Sequence, residues 1–298
     1  MRNGGKKVTI LQEYQKYKES LQNHKILLSK SDKVKIKIVF LLLKLLIFLF
    51  PKGNIHRFEN SLKFYFGLID INIDDWNPQQ QPPLFLYLGL PSKPWYEPDD
   101  YEVFKIVANT LEEGVKEIKN ELLTNIPNKN NFFTPVIDPS SDRSTYEQST
   151  DIELPASHKK DDWLVFTLWV NGKFTQESRY LFPNTVNILS KLESFIDPFE
   201  DVYFLVLKPG VVLPPHHDPS NTYITCQLGL IIPESCGIRV GSETRSWTEG
   251  KTLFFDQSIE HEAWNKSQKE RVVLLVHLRH PELSKFENFL YELLRNTI

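Results

Sequence analysis

The chain has 298 residues, of which 41% are hydrophobic and 12% aromatic, and its formal net charge at pH 7 is −3. This composition predicts a globular protein with a substantial core and excludes a disordered chain. The slightly negative charge argues against a protein that binds nucleic acid mainly through its phosphates. Cys226 and Cys236 form no CxxC pair, so we expect two buried, reduced thiols rather than a zinc ribbon or a disulfide framework.

Residues 1–60 are predicted to form a helical extension that precedes one domain over residues 61–298. From Ile38 to Phe50 every residue except Lys44 is apolar. A membrane-spanning helix needs ~20 apolar residues, and this run is shorter. Three interpretations remain open: contact with a membrane surface through residues 34–50, a helix buried against the domain, or a membrane span. The N-terminus lacks the pattern of a cleavable secretory signal. The sequence leaves the compartment open, with the cytoplasm and association with a membrane as the two alternatives.

The segment from Asp99 to Leu123 predicts an amphipathic helix. Its apolar residues recur at helical spacing, and they are Phe104, Val107, Leu111, Val115, Ile118 and Leu122. The next stretch, from Asn125 to about Asp161, is rich in Asn, Ser, Pro and Asp and is predicted to be a long loop. Loops of this length inside a compact domain are usually mobile or functional.

From Trp163 onward, short runs rich in β-branched and aromatic residues alternate with turn residues. The spacing predicts a β-sandwich or barrel of about eight strands with helices outside it, an α+β chain with a mainly β core. The chain ends in a predicted helix in which Ser284 and Glu287 form a capping box. Its apolar residues are expected to share one face, and they are Phe286, Phe289, Leu290, Leu293 and Leu294.

The stretch "LPPHHDPSN" (213–221) places His216 and Asp218 on the same face of an extended segment, because side chains at i and i+2 share a face. Two histidines and one carboxylate are the ligands of non-haem Fe(II) oxygenases, so a third ligand should lie further along the chain. His261 follows a predicted strand and is the preferred candidate, whereas His277 reads as a core residue and His280 as a turn residue. The alternative is a polar turn that happens to contain histidines, with His217 exposed or supporting its neighbours.

Arg271 begins the apolar run "VVLLV", ten residues after His261. A buried cation at such a position is costly unless it has an anionic partner. A bidentate guanidinium clamp on the distal carboxylate of a bound 2-oxo acid would provide one. The alternative is a surface arginine at the mouth of a strand.

From about Pro83 to Leu283 the chain resembles the aspartyl/asparaginyl β-hydroxylase family of Fe(II)/2-oxoglutarate dioxygenases. The resemblance is carried by "GLPSKPWYEPDDYE", "LKPGVVLPPHHDPSN", "LGLIIPESCGIRVGSETRSWTEGKTLFFDQSIEHEAWN" and "RVVLLVHLRHPEL". It implies a double-stranded β-helix (a jelly roll, cupin-like) with flanking helices. It also implies iron held at His216 and His261, and 2-oxoglutarate held at Arg271 with O2 as the second cosubstrate.

Two departures from the family pattern bear on the site. The animal peptidyl hydroxylase has glycine where this chain has Asp218, whereas free-proline hydroxylases with a related core keep the aspartate. Family members commonly carry Arg and His at the positions of Thr225 and Gln227, so these residues would offer the cosubstrate neutral hydrogen bonds only. Three further residues are candidates for lining the site, and they are Arg239, Asn221 and Trp264.

The resemblance implies hydroxylation of an unactivated carbon, with the β-carbon of Asp or Asn residues in a peptide or protein as the first substrate. Alternatives are a free amino acid such as proline, which suits a full triad, and a lipid acyl chain, which suits the apolar N-terminal run. A non-catalytic binding protein on the same fold is a further alternative. None of these substrates is a nucleic acid.

Overall fold

The computed structural model describes residues 3–26, 55–125, 132–136 and 150–295, together with the single positions 34, 38, 41 and 45. The helices in these ranges are α1 (Asn3–Ile26), α2 (Ile55–Tyr65), α3 (Glu102–Glu113), α4 (Val115–Asn125), α5 (Gln176–Leu181), α6 (Pro183–Ser190) and α7 (Lys285–Arg295). The strands are β1 (Trp95–Tyr96), β2 (Thr134–Pro135), β3 (Trp163–Val170), β4 (Lys173–Phe174), β5 (Val202–Leu207), β6 (Val212–His216), β7 (Tyr223–Ile231), β8 (Cys236–Val240), β9 (Glu243–Arg245), β10 (Thr252–Phe255), β11 (His261–Asn265) and β12 (Arg271–Arg279).

The strands form two antiparallel sheets, a large one in the order β1-β10-β7-β12-β5-β3-β2, with β4 paired to β3, and a small one in the order β6-β11-β8-β9. From β5 to β12 the chain passes back and forth between these sheets. The order β5-β12-β7-β10 in one sheet and β6-β11-β8-β9 in the other is that of an eight-stranded jelly roll. The predicted mainly β, cupin-like fold with flanking helices is therefore confirmed.

The large sheet is buried on both faces, so β7 and β12 are almost continuously apolar. Alternate residues of β12 face opposite ways. Leu274 and Val276 join the core between this sheet and the helices, whereas Val273 and Leu275 join the core between the two sheets. Arg271 has the same parity as Val273 and therefore points into the jelly roll.

The predicted amphipathic helix is confirmed with a break at Gly114. It is divided into α3 and α4, and Phe104, Leu111 and Ile118 are fully buried. The backbone at Gly114 approaches α6 so closely that a Cβ there would lie 2.6 Å from Cδ1 of Ile188. Close packing against α6 is the physical reason for glycine at this position.

Both terminal regions pack on the domain. In α1, Tyr14 and Tyr17 join a cluster around Trp76. Helix α2 crosses the predicted boundary at residues 60 and 61, and its Phe58 packs in a cluster that includes Leu290 of α7. The other residues of this cluster are Ile55, Leu62, Phe85, Tyr87, Leu90, Leu283, Tyr291 and Leu294.

The capping box of α7 is confirmed, because the Glu287 amide donates to Oγ of Ser284 and the Ser284 amide donates to the Glu287 carboxylate. The predicted apolar face was wrong in part. Phe289 is 54% exposed, and the buried face instead includes Tyr291 beside Leu290 and Leu294. The predicted buried thiols are confirmed, since Cys226 and Cys236 are both buried and free.

Most of the apolar run from Ile38 to Phe50 lies outside the described residues. Val34, Ile38, Leu41 and Leu45 are described; each is helical and exposed. Among the described residues, no helix is both long and apolar enough to cross a membrane. Much of the predicted loop from Asn125 to Asp161, namely residues 126–131 and 137–149, also lies outside the described residues, and Thr134–Pro135 pairs with the edge of β3.

Candidate metal centre

His216 and His261 face each other across two neighbouring strands of the small sheet. They are register partners where β6 ends and β11 begins, and their ring centroids are 4.2 Å apart. The two residues are 45 positions apart in sequence, and antiparallel pairing brings them together. Both are buried.

Each imidazole is oriented by a backbone carbonyl two residues earlier. Nδ1 of His216 donates to Pro214 O at 2.7 Å, and Nδ1 of His261 donates to Ile259 O at 3.0 Å. Because a carbonyl oxygen can only accept, the proton of each neutral ring is on Nδ1 and its lone pair is on Nε2. Burial lowers the pKa of His216 to about 4 and that of His261 well below its usual value, so both rings are neutral at pH 7. The neutral ring is the form that binds a metal.

Asp218 completes a three-residue cluster. It follows β6, and its amide donates to Gln257 O at 2.9 Å, which ties it to the loop that leads into β11. One ligand atom from each of His216, Asp218 and His261 lies within 4.8 Å of the others. This is the arrangement of two histidines and one carboxylate expected for a non-haem iron site.

The other two candidate histidines lie elsewhere. His277 is held between Asp201 O, which accepts from its Nδ1 at 2.8 Å, and Gln257, whose Nε2 donates to its Nε2 at 3.1 Å. His280 is buried, and its Nδ1 accepts from the amide of Glu282.

His217 is buried rather than exposed, at 8% exposure. Its amide donates to Oδ1 of Asp151 at 2.5 Å and its Nδ1 donates to Oδ2 at 2.7 Å. Burial raises the pKa of Asp151, but the hydrogen bonds and charge of His217 outweigh burial and hold it below its usual value. Asp151 thereby fixes the backbone between the potential ligands His216 and Asp218 from a third segment of the chain.

Arg271 lies in the same cavity, between the two sheets. Its side chain is 1% exposed, and burial lowers its pKa to about 10, so it stays charged at pH 7. Among the described residues, none accepts a hydrogen bond from its Nε or Nη1. Its guanidinium stacks on the ring of Trp247 at 4.6 Å. A buried cation with unpaired donors is costly, so the residues fit a bound carboxylate.

The walls between these groups are apolar. Besides the three potential ligands and Arg271, the cavity is lined by Trp163, Tyr203, Leu205, Leu213, Gln227, Ile238, Trp247, Phe255, Gln257, Ala263 and Leu275. Such walls exclude water and strengthen electrostatic interactions inside the cavity.

The two neutral residues of β7 have different surroundings. Gln227 lines the cavity, and its Oε1 accepts from Nε1 of Trp247 at 2.9 Å. The hydroxyl of Thr225 donates to Oε1 of Gln257, and Thr225 is not among the residues that line the cavity. The structure therefore brings Gln227, but not Thr225, to the cavity.

The three other candidate residues also lie away from the cavity lining. Arg239 binds Glu260 and Glu262 at the surface. Asn221 accepts from the Tyr87 amide and donates to the Tyr87 carbonyl, which joins its loop to the segment before β1. Trp264 packs on Gly237 of the neighbouring strand.

Sequence reasoning missed Asp151 and Gln257. Asp151 lies 65 residues before His216 in a segment without periodicity, so no local signal marks it. Gln257 stands four residues before His261, and a polar residue two positions after the strand "KTLFF" is a weak signal that could have found it.

Comparison with known proteins shows the family of this chain. Residues 112–281 match the family described as Aspartyl/Asparaginyl beta-hydroxylase. Over 206 residues the chain is 32% identical to Aspartyl/asparaginyl beta-hydroxylase of Homo sapiens, covering 68% of this chain and 25% of that protein. It is 30% identical over 218 residues to Aspartate beta-hydroxylase domain-containing protein 2 of Xenopus tropicalis, covering 70% of this chain and 53% of that protein.

A bacterial relative matches a shorter stretch. The chain is 36% identical over 131 residues to Ornithine lipid ester-linked acyl 2-hydroxylase of Rhizobium tropici, covering 43% of this chain and 44% of that protein. The match to each of these relatives thus spans between a quarter and about half of the relative's length. The chain belongs to the aspartyl/asparaginyl β-hydroxylase family.

Proposed function

We propose that the chain is an Fe(II)- and 2-oxoglutarate-dependent dioxygenase that hydroxylates an unactivated carbon. One observation carries the proposal: a single apolar cavity holds three converging ligand side chains and a buried guanidinium with unpaired donors. A binding protein without chemistry would have little reason to keep a costly unpaired cation beside a metal triad.

His216, Asp218 and His261 would hold the ferrous ion, with Nε2 of each histidine as the ligand atom. When bound, the ion would supply the oxygen-dependent chemistry that couples decarboxylation of 2-oxoglutarate to hydroxylation of the substrate. The Nδ1 hydrogen bonds to Pro214 O and Ile259 O keep both rings in the ligating tautomer. Arg271 would bind the distal carboxylate of 2-oxoglutarate, and the apolar walls would keep water from the reacting groups.

The first proposed substrate is the β-carbon of an Asp or Asn residue in a peptide or protein. The support is the match to the human relative whose name describes that reaction, over 68% of this chain.

A lipid acyl chain is the second candidate substrate. The relative from Rhizobium tropici is named as an acyl hydroxylase of a lipid. In addition, the described helical positions Val34, Ile38, Leu41 and Leu45 are all apolar and exposed. Exposed apolar side chains on a helix suit an interface with a lipid surface.

Anaerobic titration with Fe(II) and then 2-oxoglutarate tests the cofactors, and succinate formation in air tests turnover. We expect His216→Ala to lose metal binding and turnover, whereas His56→Ala, which changes an exposed histidine of α2, should keep both. Asp218→Gly tests the carboxylate, and full metal binding and turnover in this variant would show that Asp218 is not a needed ligand.

A substrate screen separates the candidate reactions. Succinate formation is measured with Asp- or Asn-containing peptides, with free proline and with acyl lipids in vesicles. Stimulation by a peptide alone supports the first candidate, and stimulation by the lipid alone supports the second. Wild-type protein that binds neither metal nor 2-oxoglutarate would refute the dioxygenase proposal and leave a binding protein on the same fold.

A further inference from the structure

Trp247 contacts two polar residues of the cavity lining, Arg271 and Gln227. The face of its ring lies on the guanidinium of Arg271, at 4.6 Å from the ring centroid to Cζ. The edge of the same ring donates from Nε1 to Oε1 of Gln227 at 2.9 Å. All three residues line the cavity, and all three are buried.

The hydrogen bond determines which way the Gln227 amide points. An indole nitrogen can only donate, so the atom of Gln227 that meets it must be the oxygen. The Nε2 group, with its two donors, is therefore turned away from Trp247, and it donates to none of the described residues. Because Gln227 lines the cavity, these donors are available to a ligand there.

We propose that Trp247 is the positioning residue of the cosubstrate site, which holds Gln227 as a donor to a carboxylate oxygen while stacking on Arg271. This inference rests on the proposed function, since the ligand is the 2-oxo acid. The contact with Trp247 explains how an uncharged residue at position 227 can bind a carboxylate. An amide that is free to rotate would present its oxygen to the carboxylate half of the time, and the indole prevents that rotation.

The two neutral residues of β7 would then have different roles. The hydroxyl of Thr225 is used by Gln257, and the Gln257 amide in turn donates to His277. Thr225 therefore supports the loop that holds Asp218, whereas Gln227 would contact the cosubstrate. Arg271 would supply the charge for anion binding, and the hydrogen bond from Gln227 would orient the bound carboxylate.

The test measures 2-oxoglutarate affinity by calorimetry on protein loaded with Mn(II) without oxygen, so that no turnover is needed. Trp247→Phe keeps an aromatic side chain at this position and removes the N–H donor together with one ring of the indole, a loss of volume that Trp264→Phe reproduces elsewhere. We expect Trp247→Phe to weaken 2-oxoglutarate binding about tenfold, the effect of one lost hydrogen bond. Gln227→Leu should weaken binding by a similar factor, and the double variant should be no weaker than Gln227→Leu alone, because both changes act through one amide.

Two further variants test whether the loss of 2-oxoglutarate affinity comes from the Gln227 amide. Gln227→Glu has nearly the same shape and still accepts from the indole, but it places an anion in the cavity, so we expect a loss of more than about a hundredfold. Trp264→Phe, the matched tryptophan control outside the cavity lining, should bind 2-oxoglutarate like the wild type. Mn(II) affinity should be unchanged in every variant.

The outcomes distinguish the inference from the proposed function. Wild-type protein that binds Mn(II) but no 2-oxoglutarate would refute the proposed function and the inference together. Wild-type binding with an equal affinity in Trp247→Phe, or additive losses in the double variant, would overturn the inference alone.

Discussion

Replacing Arg271 with methionine is expected to stabilise the ligand-free protein, although it removes a charged side chain from the candidate site. Burial lowers the pKa of Arg271 from 12.5 to about 10, which corresponds to a penalty of about 3 kcal/mol for keeping the group charged. Stacking on Trp247 offsets about 1–2 kcal/mol of this penalty. Methionine fills much of the same volume without a charge. The free energy of unfolding should therefore rise by about 1–2 kcal/mol.

The penalty is fully present at pH 7. A base whose pKa is lower in the folded state than in the unfolded state is destabilising while it is charged, and the penalty is relieved only as the pH rises through about 10. Urea unfolding of metal-free protein at pH 7 measures the effect. Arg239→Met is the matched control, since it breaks the surface pairs with Glu260 and Glu262 and a hydrogen bond to Gly241 O, and it should lower the free energy of unfolding by about 1 kcal/mol.

The Arg271→Met variant should also lose the stabilisation that the cosubstrate provides. In metal-loaded wild-type protein, 2-oxoglutarate at a hundred times its Kd should add about 2.7 kcal/mol to the free energy of unfolding. Arg271→Met should gain almost none of it. If the ligand-free variant were instead less stable than the wild type by more than about 1 kcal/mol, the guanidinium would have a partner in the free protein. The reasoning from an unpaired cation to an anion site would then be refuted.

Three other predictions follow from single contacts. Asp151→Ala removes the acceptor of both hydrogen bonds from His217, which lies between the potential ligands His216 and Asp218, so Co(II) affinity measured by titration should fall about tenfold to a hundredfold, while exposed Asp161→Ala should change nothing. Gly237→Ala would place a Cβ 2.4 Å from the ring of Trp264 and should lower the free energy of unfolding by about 1–3 kcal/mol, and an unchanged urea midpoint would contradict this packing. Burial raises the pKa of Asp256 to about 7, above its value of 3.8 in the unfolded chain, so this carboxyl makes stability fall as the pH rises from about 4 to 7. Asp256→Asn should flatten that slope in urea unfolding at several pH values, and an identical slope would refute the assignment.

Local patterns predicted much of the fold. Alternating and continuous apolar runs indicated the strands because a buried strand has a two-residue side-chain period and few turn residues. The same period predicted that His216 and Asp218 share a face. The helical spacing of Phe104, Leu111 and Ile118 predicted the amphipathic segment. The close packing that explains glycine at position 114 involves Ile188 of α6, which is 74 positions away.

The composition of the site depended on contacts between distant parts of the chain. A surface arginine at position 239 and a cavity-facing arginine at position 271 look alike in sequence, since both lie in short apolar runs. Strand parity and the position of each strand in its sheet decide which one turns inward. The same is true of Thr225 and Gln227, which point to the same side of β7 but meet different neighbours, Gln257 for one and Trp247 for the other.

Side-chain periodicity and the chemistry of residue types were enough to predict a mainly β core, a His-x-Asp pair on one face and an arginine at the start of an apolar strand, whereas the jelly roll was implied by the family resemblance. Only the tertiary structure brings His261 opposite His216, places Asp151 against the backbone between His216 and Asp218, and joins Gln227 to Arg271 through Trp247. These contacts depend on register between strands and on packing across the barrel. Neither the register nor the packing can be predicted from a local stretch of sequence.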